Sequence, residues 1–178
     1  PVNADIKNFY NKNNYNEYNM SNSGKVLLMT VERDDSYGDK DIYVSFLTDD
    51  GSWTEPMNLG KTVNTASGET SPYLAGDDKT LYFSTDGFPT FGSSDIFVTR
   101  RLDDTWQNWS EPINIGPQLN TVEWDAYYTI SSSGEFAYFV SAFNSFGGLD
   151  IFKVALPKEV KPDPVILISG KVFNAKTK

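Results

Sequence analysis

The sequence predicts an all-β fold of about three four-stranded antiparallel sheets, each a variant of one unit, and three observations carry that prediction. The chain spells aromatic-Gly-x-x-Asp-Ile-aromatic three times, as YGDKDIY from Tyr37, FGSSDIF from Phe91 and FGGLDIF from Phe146. Its palette is that of strands, with 12 Phe, 10 Tyr and 4 Trp among 178 residues. Its apolar runs are short, are separated by Gly, Asp, Asn and Pro clusters, and never keep a helical period over a helix's length.

The elements follow from overlaying the copies. Asp41, Asp95 and Asp150 stand 54 and 55 residues apart. Before each copy lies a polar turn and an apolar strand: NSGKVLLMT from Asn22, GDDKTLYFST from Gly76 and SSGEFAYFVS from Ser132. After the first two comes a second shared phrase, SWTEPMNLGKTVNT from Ser52 and NWSEPINIGPQLNT from Asn108. The second unit shows all four strands: SPYLA from Ser71, LYFST from Leu81, DIFVTRR from Asp95 and PINIG from Pro112. Units are thus expected at about 15–69, 70–123 and 124–157, with 1–14 ending a preceding unit, because Pro1-Val2-Asn3 aligns with Pro56-Met57-Asn58 and Pro112-Ile113-Asn114. Four antiparallel strands at this period make a propeller blade. Three blades fall short of a closed ring, so they are expected to be part of a larger propeller, the alternative being two three-blade halves that associate.

A residue needed once per unit is scaffold. The repeat motif therefore assigns structural roles to Tyr37, Gly38 and Asp41, to Phe91, Gly92 and Asp95, and to Phe146, Gly147 and Asp150, with Trp53, Pro56, Trp109 and Pro112 in the second phrase. The first aromatic is expected to pack between sheets, the Gly to permit a positive-φ turn, and the Asp to accept from turn amides.

Composition removes whole classes of chemistry. A net charge of −9 disfavours nucleic acid and anionic lipid as partners. With no Cys and no His, disulfides, thiolate catalysis and imidazole general bases are absent. No apolar run approaches a membrane span, so direct insertion is not expected. The start shows neither a basic nor an apolar leader region, as though the chain were cut from something longer.

The combination of SSSGEFAYFVS, FGGLDIF and W-x-E-P-x-N-x-G-x-x-x-N-T resembles the PD40 repeat, the WD40-like repeat of TolB-type propellers. The version closest to it occurs in OmpA-family envelope proteins of Bacteroidota. The resemblance covers about residues 1–157; the tail from Pro164, PVILISGKVFNAKTK, is similar to the first strand of a carboxypeptidase-regulatory-like sandwich, with 161–164 as linker. It implies a periplasmic, outer-membrane-associated scaffold for other envelope proteins, some of that group belonging to secretion or gliding machinery. Peptidoglycan contact would belong to an OmpA-type domain that no residue here matches.

Candidate chemistry sorts by the same repeat logic, and neither catalytic residues nor a cofactor or metal is expected. Glu55 and Glu111 suggest a glycosidase pair, but both occupy the W-x-E-P slot of different units. Paired aspartates at Asp34, Asp49, Asp77 and Asp103 fall in turns, and the three motif aspartates share no further oxygen ligands for calcium. TDDGSW from Thr48 is similar to the Asp-box hairpin of sialidases, yet three arginines, two of them adjacent, do not make a sialidase cluster. Partner-binding candidates are the loop aromatics Phe88, Phe91, Phe143 and Phe146 with the unit-specific Trp106 and Trp124. The Asn-rich stretch 8–19 is expected to cross between units as a polar loop. The alternative function is a carbohydrate-active propeller, either a glycan-binding module or a sialidase-like fragment.

Overall fold

The computed structural model describes residues 4–166 and contains eleven strands in three antiparallel sheets, with a single short 3-10 turn at Lys158–Val160. The first sheet runs β1 (Glu17–Met20), β2 (Val26–Val31), β3 (Asp41–Phe46), β4 (Met57–Asn58). The second repeats it as β5 (Thr70–Leu74), β6 (Thr80–Thr85), β7 (Asp95–Arg100), β8 (Ile113–Asn114). The third has β9 (Asp125–Ile130), β10 (Phe136–Ser141) and β11 (Asp150–Ala155), with no fourth strand among the described residues. The reason is in the sequence: no W-x-E-P phrase follows Ala155. Pro1-Val2-Asn3 and most of the tail expected to begin a sandwich lie outside the described residues.

Each sheet is a meander whose neighbours pair in sequence order, and the sheets stack face to face. The first strands lie beside one another in the order β1, β5, β9. Because side chains alternate across a strand, each sheet offers one apolar set forward and one back. Leu28, Ile42 and Val44 of the first sheet meet Leu81, Phe83 and Phe97 of the second. Tyr82, Ile96 and Val98 leave the second sheet's other face to meet Tyr128, Ala137 and Phe139 of the third. Each fully buried side chain of this size stabilises by roughly 1.5–3 kcal/mol, so two interfaces of this kind dominate the fold. The back of the first sheet (Leu27, Met29, Val31, Tyr43) is covered by Trp53 and Ile6.

One polar network recurs beneath the motif. Asp41 accepts from the backbone N–H of Tyr37 at 2.8 Å and from Asn58 Nδ2 at 2.7 Å. Asn58 Oδ1 in turn accepts from Gly60 N and from Asn64 Nδ2. Asn64 then clasps both backbone groups of Ile42, its Oδ1 accepting from N–H at 2.8 Å and its Nδ2 donating to C=O at 3.0 Å. The second unit repeats every link with Asp95, Asn114, Gly116, Asn120 and Ile96. The two-residue strands β4 and β8 are therefore tied on mostly by side chains, and the spacing N-x-G-x-x-x-N is the spacing of the clasp. Gly60 and Gly116, at φ +90° and +92°, supply the left-handed turn that brings the second Asn back.

Two expectations about the motif are corrected. Gly38, Gly92 and Gly147 are not at positive φ. Gly38 and Gly92 are required by close approach instead: a Cβ on Gly38 would lie 2.0 Å from the Ser67 carbonyl oxygen, and one on Gly92 2.2 Å from the Val122 carbonyl carbon. Each glycine lets its loop lie against the lead-in to the following sheet, where backbone bonds Glu69 N to Lys40 O and Asp125 N to Ser94 O join sheet to sheet. Gly147 has nothing within 4 Å, and among the described residues no sheet follows it. The leading aromatics, likewise, do not pack between sheets: Tyr37 and Phe91 are exposed and Phe146 fully so. What the motif uses from them is the N–H that binds the aspartate.

Two outcomes are expected from substitution. Gly92→Ala should cost about 2 kcal/mol while Gly147→Ala changes stability by less than about 0.5 kcal/mol, measured by urea unfolding. Asn120→Ala, which strands the N–H of buried Ile96 and leaves its C=O to the Ile115 N–H alone, should cost roughly 2 kcal/mol in the same assay.

Candidate functional site

The sequence-derived candidates divide between core and surface. Trp106 is buried between the first two sheets, its ring edge-on to Phe46 at 5.5 Å, so it is not a docking residue. Phe88 packs half-buried against the same cluster, beside Phe97 at 5.3 Å. Trp53 and Trp109 are buried, Trp109 Nε1 donating to the Trp106 carbonyl. Pro56 is buried and Pro112 half-buried, each just ahead of an outer strand, where a missing N–H costs no ladder bond. Exposed remain Tyr37, Phe91, Phe143 and Phe146, with Trp124 half-buried edge-on to Tyr127.

Three of these surface aromatics share one origin. Tyr37, Phe91 and Phe146 open the loop before the third strand of their sheets, and in each the backbone N–H is held by the motif aspartate at 2.8, 2.8 and 2.6 Å. Asp41 and Asp95 are themselves fully buried. An exposed ring on a backbone anchored to a buried carboxylate keeps its position without needing side-chain burial, which is what a rigid docking rim requires.

A second feature, invisible in the repeat, lies where the first strands meet. A cleft of about 240 Å³ is lined by Glu17 and Tyr18 of β1, Ser71, Pro72 and Tyr73 of β5, and Tyr127 and Tyr128 of β9. The Glu17 carboxylate accepts from the Ser71 backbone N–H and, at 2.9 Å, from the Tyr127 hydroxyl, so one side chain ties three sheets. Ser71 and Tyr127 occupy equivalent positions and both sit at positive φ, +52° and +55°, in strands whose register slips beside them. Such conformations are costly for non-glycine residues, and here they turn the Ser71 N–H toward Glu17. The hydroxyls of Ser71 and Tyr128, both buried, have no partner among the described residues. Only the left-over Tyr and Glu of non-repeated positions hinted at this cleft.

The remaining acids are structural in their contacts. Glu55 accepts from Asn8 and from Arg33, whose guanidinium stacks over Tyr10 at 4.2 Å, while Glu111 sits on another sheet. The Asn-rich stretch lies along the first sheet: Asn11 bonds Glu32 N and Asn13 bonds Asp39. Asp50 binds Thr48 and Ser52 within the TDDGSW turn, and the Ser52 hydroxyl first among these holds its carboxyl well below the usual range. Asp103 plays the same part with Thr105 and Asn108. Among the described residues no three acidic side chains are grouped to hold a metal ion, and no helix is long and apolar enough to cross a membrane.

Glu69 differs from these. It is fully buried at the joint of the first two sheets, accepting from Thr65 N, Thr65 Oγ1 and Thr85 Oγ1, with Asp41 nearby. Burial raises its carboxyl to about 7, against which the threonine bonds pull only partly and Asp41 adds its own upward push. Asp125 takes the equivalent place at the next joint and is also raised by burial. Compared with known proteins, the chain matches no family model and no curated sequence.

The sign of the pH dependence follows. The folded state favours protonated Glu69 more than the unfolded chain does, so its contribution is greatest below pH 4.5 and is lost as pH rises through 7. Glu69→Gln should flatten the fall in unfolding free energy between pH 4.5 and 7 relative to the parent, by an amount on the order of 3 kcal/mol, measured by urea unfolding at each pH. Parallel slopes would show that Glu69 is already ionised in the fold.

Proposed function

We propose that the three sheets are consecutive blades of a β-propeller and that the chain is a non-enzymatic scaffold for protein–protein interaction. The observation that carries this reading is the exposed aromatic placed at the same loop of each sheet, Tyr37, Phe91 and Phe146, each anchored through its backbone to the motif aspartate. Aromatic rings on a pre-ordered frame provide contact area at low entropic cost, which is the chemistry of interface anchors. Face-to-face meanders with adjacent first strands fit the blade arrangement. The resemblance to PD40 repeats supports an envelope setting, periplasmic and outer-membrane associated, with other envelope proteins as partners, including secretion or gliding components. The acidic surface argues against nucleic acid. Peptidoglycan would be reached only through a separate domain.

A second reading is favoured by one observation. The inner cleft combines exposed tyrosine rings with the Glu17 carboxylate, which suit a sugar's faces and hydroxyl groups. On that reading the chain is a glycan-binding module.

A photo-crosslinking residue at Phe91, in cells that make the protein, separates the two. The scaffold reading expects a covalent adduct with a defined polypeptide, lost when Tyr37 and Phe146 are changed to serine. A glycan array that responds to the chain and loses its signal with Tyr127→Ala, with no polypeptide adduct, would replace it by the second reading.

A further inference from the structure

The two joints between sheets follow one plan, and only the first closes it. There Glu69 uses both carboxylate oxygens, Oε2 accepting from Thr65 N and Oε1 from the hydroxyls of Thr65 and Thr85. At the second joint Asp125 stands in the place of Glu69, and Ser141 in that of Thr85: each hydroxyl accepts from the amide two residues on, Gly87 or Phe143. Asp125 is one carbon shorter, and its bonds from Thr121 N and Thr121 Oγ1 both go to Oδ2. Asp125 Oδ1 has no partner among the described residues. Neither has Asp95 Oδ1, whose counterpart in Asp41 accepts from Gly38 N at 3.2 Å. Nor has Ser84 Oγ, whose counterpart in Thr30 accepts from Glu17 N at 3.1 Å.

These orphaned atoms lie inside the protein, not at its surface. Asp95 and Asp125 are 0% exposed and Ser84 1%. Ser84 shares a face of the second sheet with Tyr82, whose ring stacks on Tyr128 of β9 at 4.6 Å. Asp125 lies opposite Ser141, on the face of the third sheet that carries Ala137 and Phe139 toward the second. Asp125 N donates to the carbonyl of Ser94, the neighbour of Asp95, and burial followed by the Asp95 charge raises the Asp125 carboxyl. Relative to the first joint, Asp125 for Glu69 removes a methylene, and Ser141 for Thr85 and Ser84 for Thr30 each remove a methyl. Lost volume and lost partners therefore coincide. Among the described residues neither acid forms an ion pair with lysine or arginine.

Two buried carboxylates without a basic partner are costly unless a cation neutralises them. We infer that the joint between the second and third sheets binds a divalent cation of the calcium class, with Asp95 Oδ1 and Asp125 Oδ1 as charged ligands and the hydroxyls of Ser84 and Ser141 as neutral ones. Carboxylate and hydroxyl oxygens are hard donors, and two negative charges match a divalent ion. Calcium accepts an irregular set of this kind, with water completing its shell, whereas magnesium demands near-octahedral geometry. The donor set has two acids rather than three, so acid grouping alone does not mark it. Asp95 also holds the Phe91 N–H and Asp125 opens β9. The ion thus ties that loop to the following sheet, the part the Thr85 bond to Glu69 plays directly at the first joint. The inference goes beyond the scaffold reading and does not rest on it.

The test uses the whole chain, stripped with chelator and titrated calorimetrically with calcium chloride at constant ionic strength, with melting curves alongside. Binding of about one calcium ion per chain is expected, with Kd on the order of 0.1–1 mM, and the melting temperature should rise with occupancy. Asp125→Asn, which keeps the shape and removes one charge, should weaken binding by about tenfold or more. Asp125→Glu combined with Ser141→Thr rebuilds the direct bond of the first joint. That double variant should fold, bind no calcium at this joint, and melt at the same temperature with and without the ion. No saturation up to about 10 mM calcium overturns the site, the joint then holding water or a shared proton. An equal response to magnesium or sodium overturns it in favour of general screening of the acidic surface. Unchanged binding by the double variant overturns it by placing the ion elsewhere. The scaffold reading stands or falls separately, on the crosslink at Phe91.

Discussion

The clasp from a buried aspartate through two asparagines to the backbone of an isoleucine is the interaction on which the rest of this structure depends. A two-residue outer strand contributes too few ladder bonds to hold itself in place. The side-chain amides of Asn58 and Asn64, or Asn114 and Asn120, supply the missing donors and acceptors. They also donate to one oxygen of a buried carboxylate, Asp41 Oδ2 or Asp95 Oδ2, whose burial would otherwise be costlier still. The aspartate's other bonds reach the loop amides, so a single network fixes the outer strand, the third strand and the loop that carries the exposed aromatic.

Sheet-to-sheet order is set by a different constraint. Loops around Gly38 and Gly92 lie so close to the backbone leading into the next sheet that no Cβ fits. Glu69 then braces the first joint by accepting from the hydroxyls of Thr65 and Thr85, and Asp125 takes the equivalent place at the second, accepting from the N–H and hydroxyl of Thr121. Apolar burial drives the stacking, but it is non-directional. The glycine contacts and buried carboxylates determine which loop meets which strand. Glu17 adds a third kind of tie, used once, across the first strands of all three sheets.

Exposure of the leading aromatics separates what a repeat conserves for folding from what it presents. Tyr37, Phe91 and Phe146 contribute their backbone N–H to the fold and leave their rings outside. The scaffold reading takes those rings as its contact surface, and uses the frame without asking it to do chemistry.

The strand segments, the polar turns between them and the three-fold repetition were legible in the sequence, because side-chain alternation and the Gly, Asp, Asn and Pro clusters are local. The bond from each motif aspartate to its turn amide was legible for the same reason, with four residues or fewer between partners. What Gly38 and Gly92 are for was not, since the atoms they avoid lie 27 to 30 residues away, in the lead-in to the next sheet. Nor was the burial of Trp106, the strain at Ser71 and Tyr127, or the reach of Glu17 to residues 54 and 110 positions distant. Sequence alone determined the unit, because a unit is held by short-range spacing; only the tertiary structure decided which surfaces remain open, because exposure depends on which neighbour each sheet has.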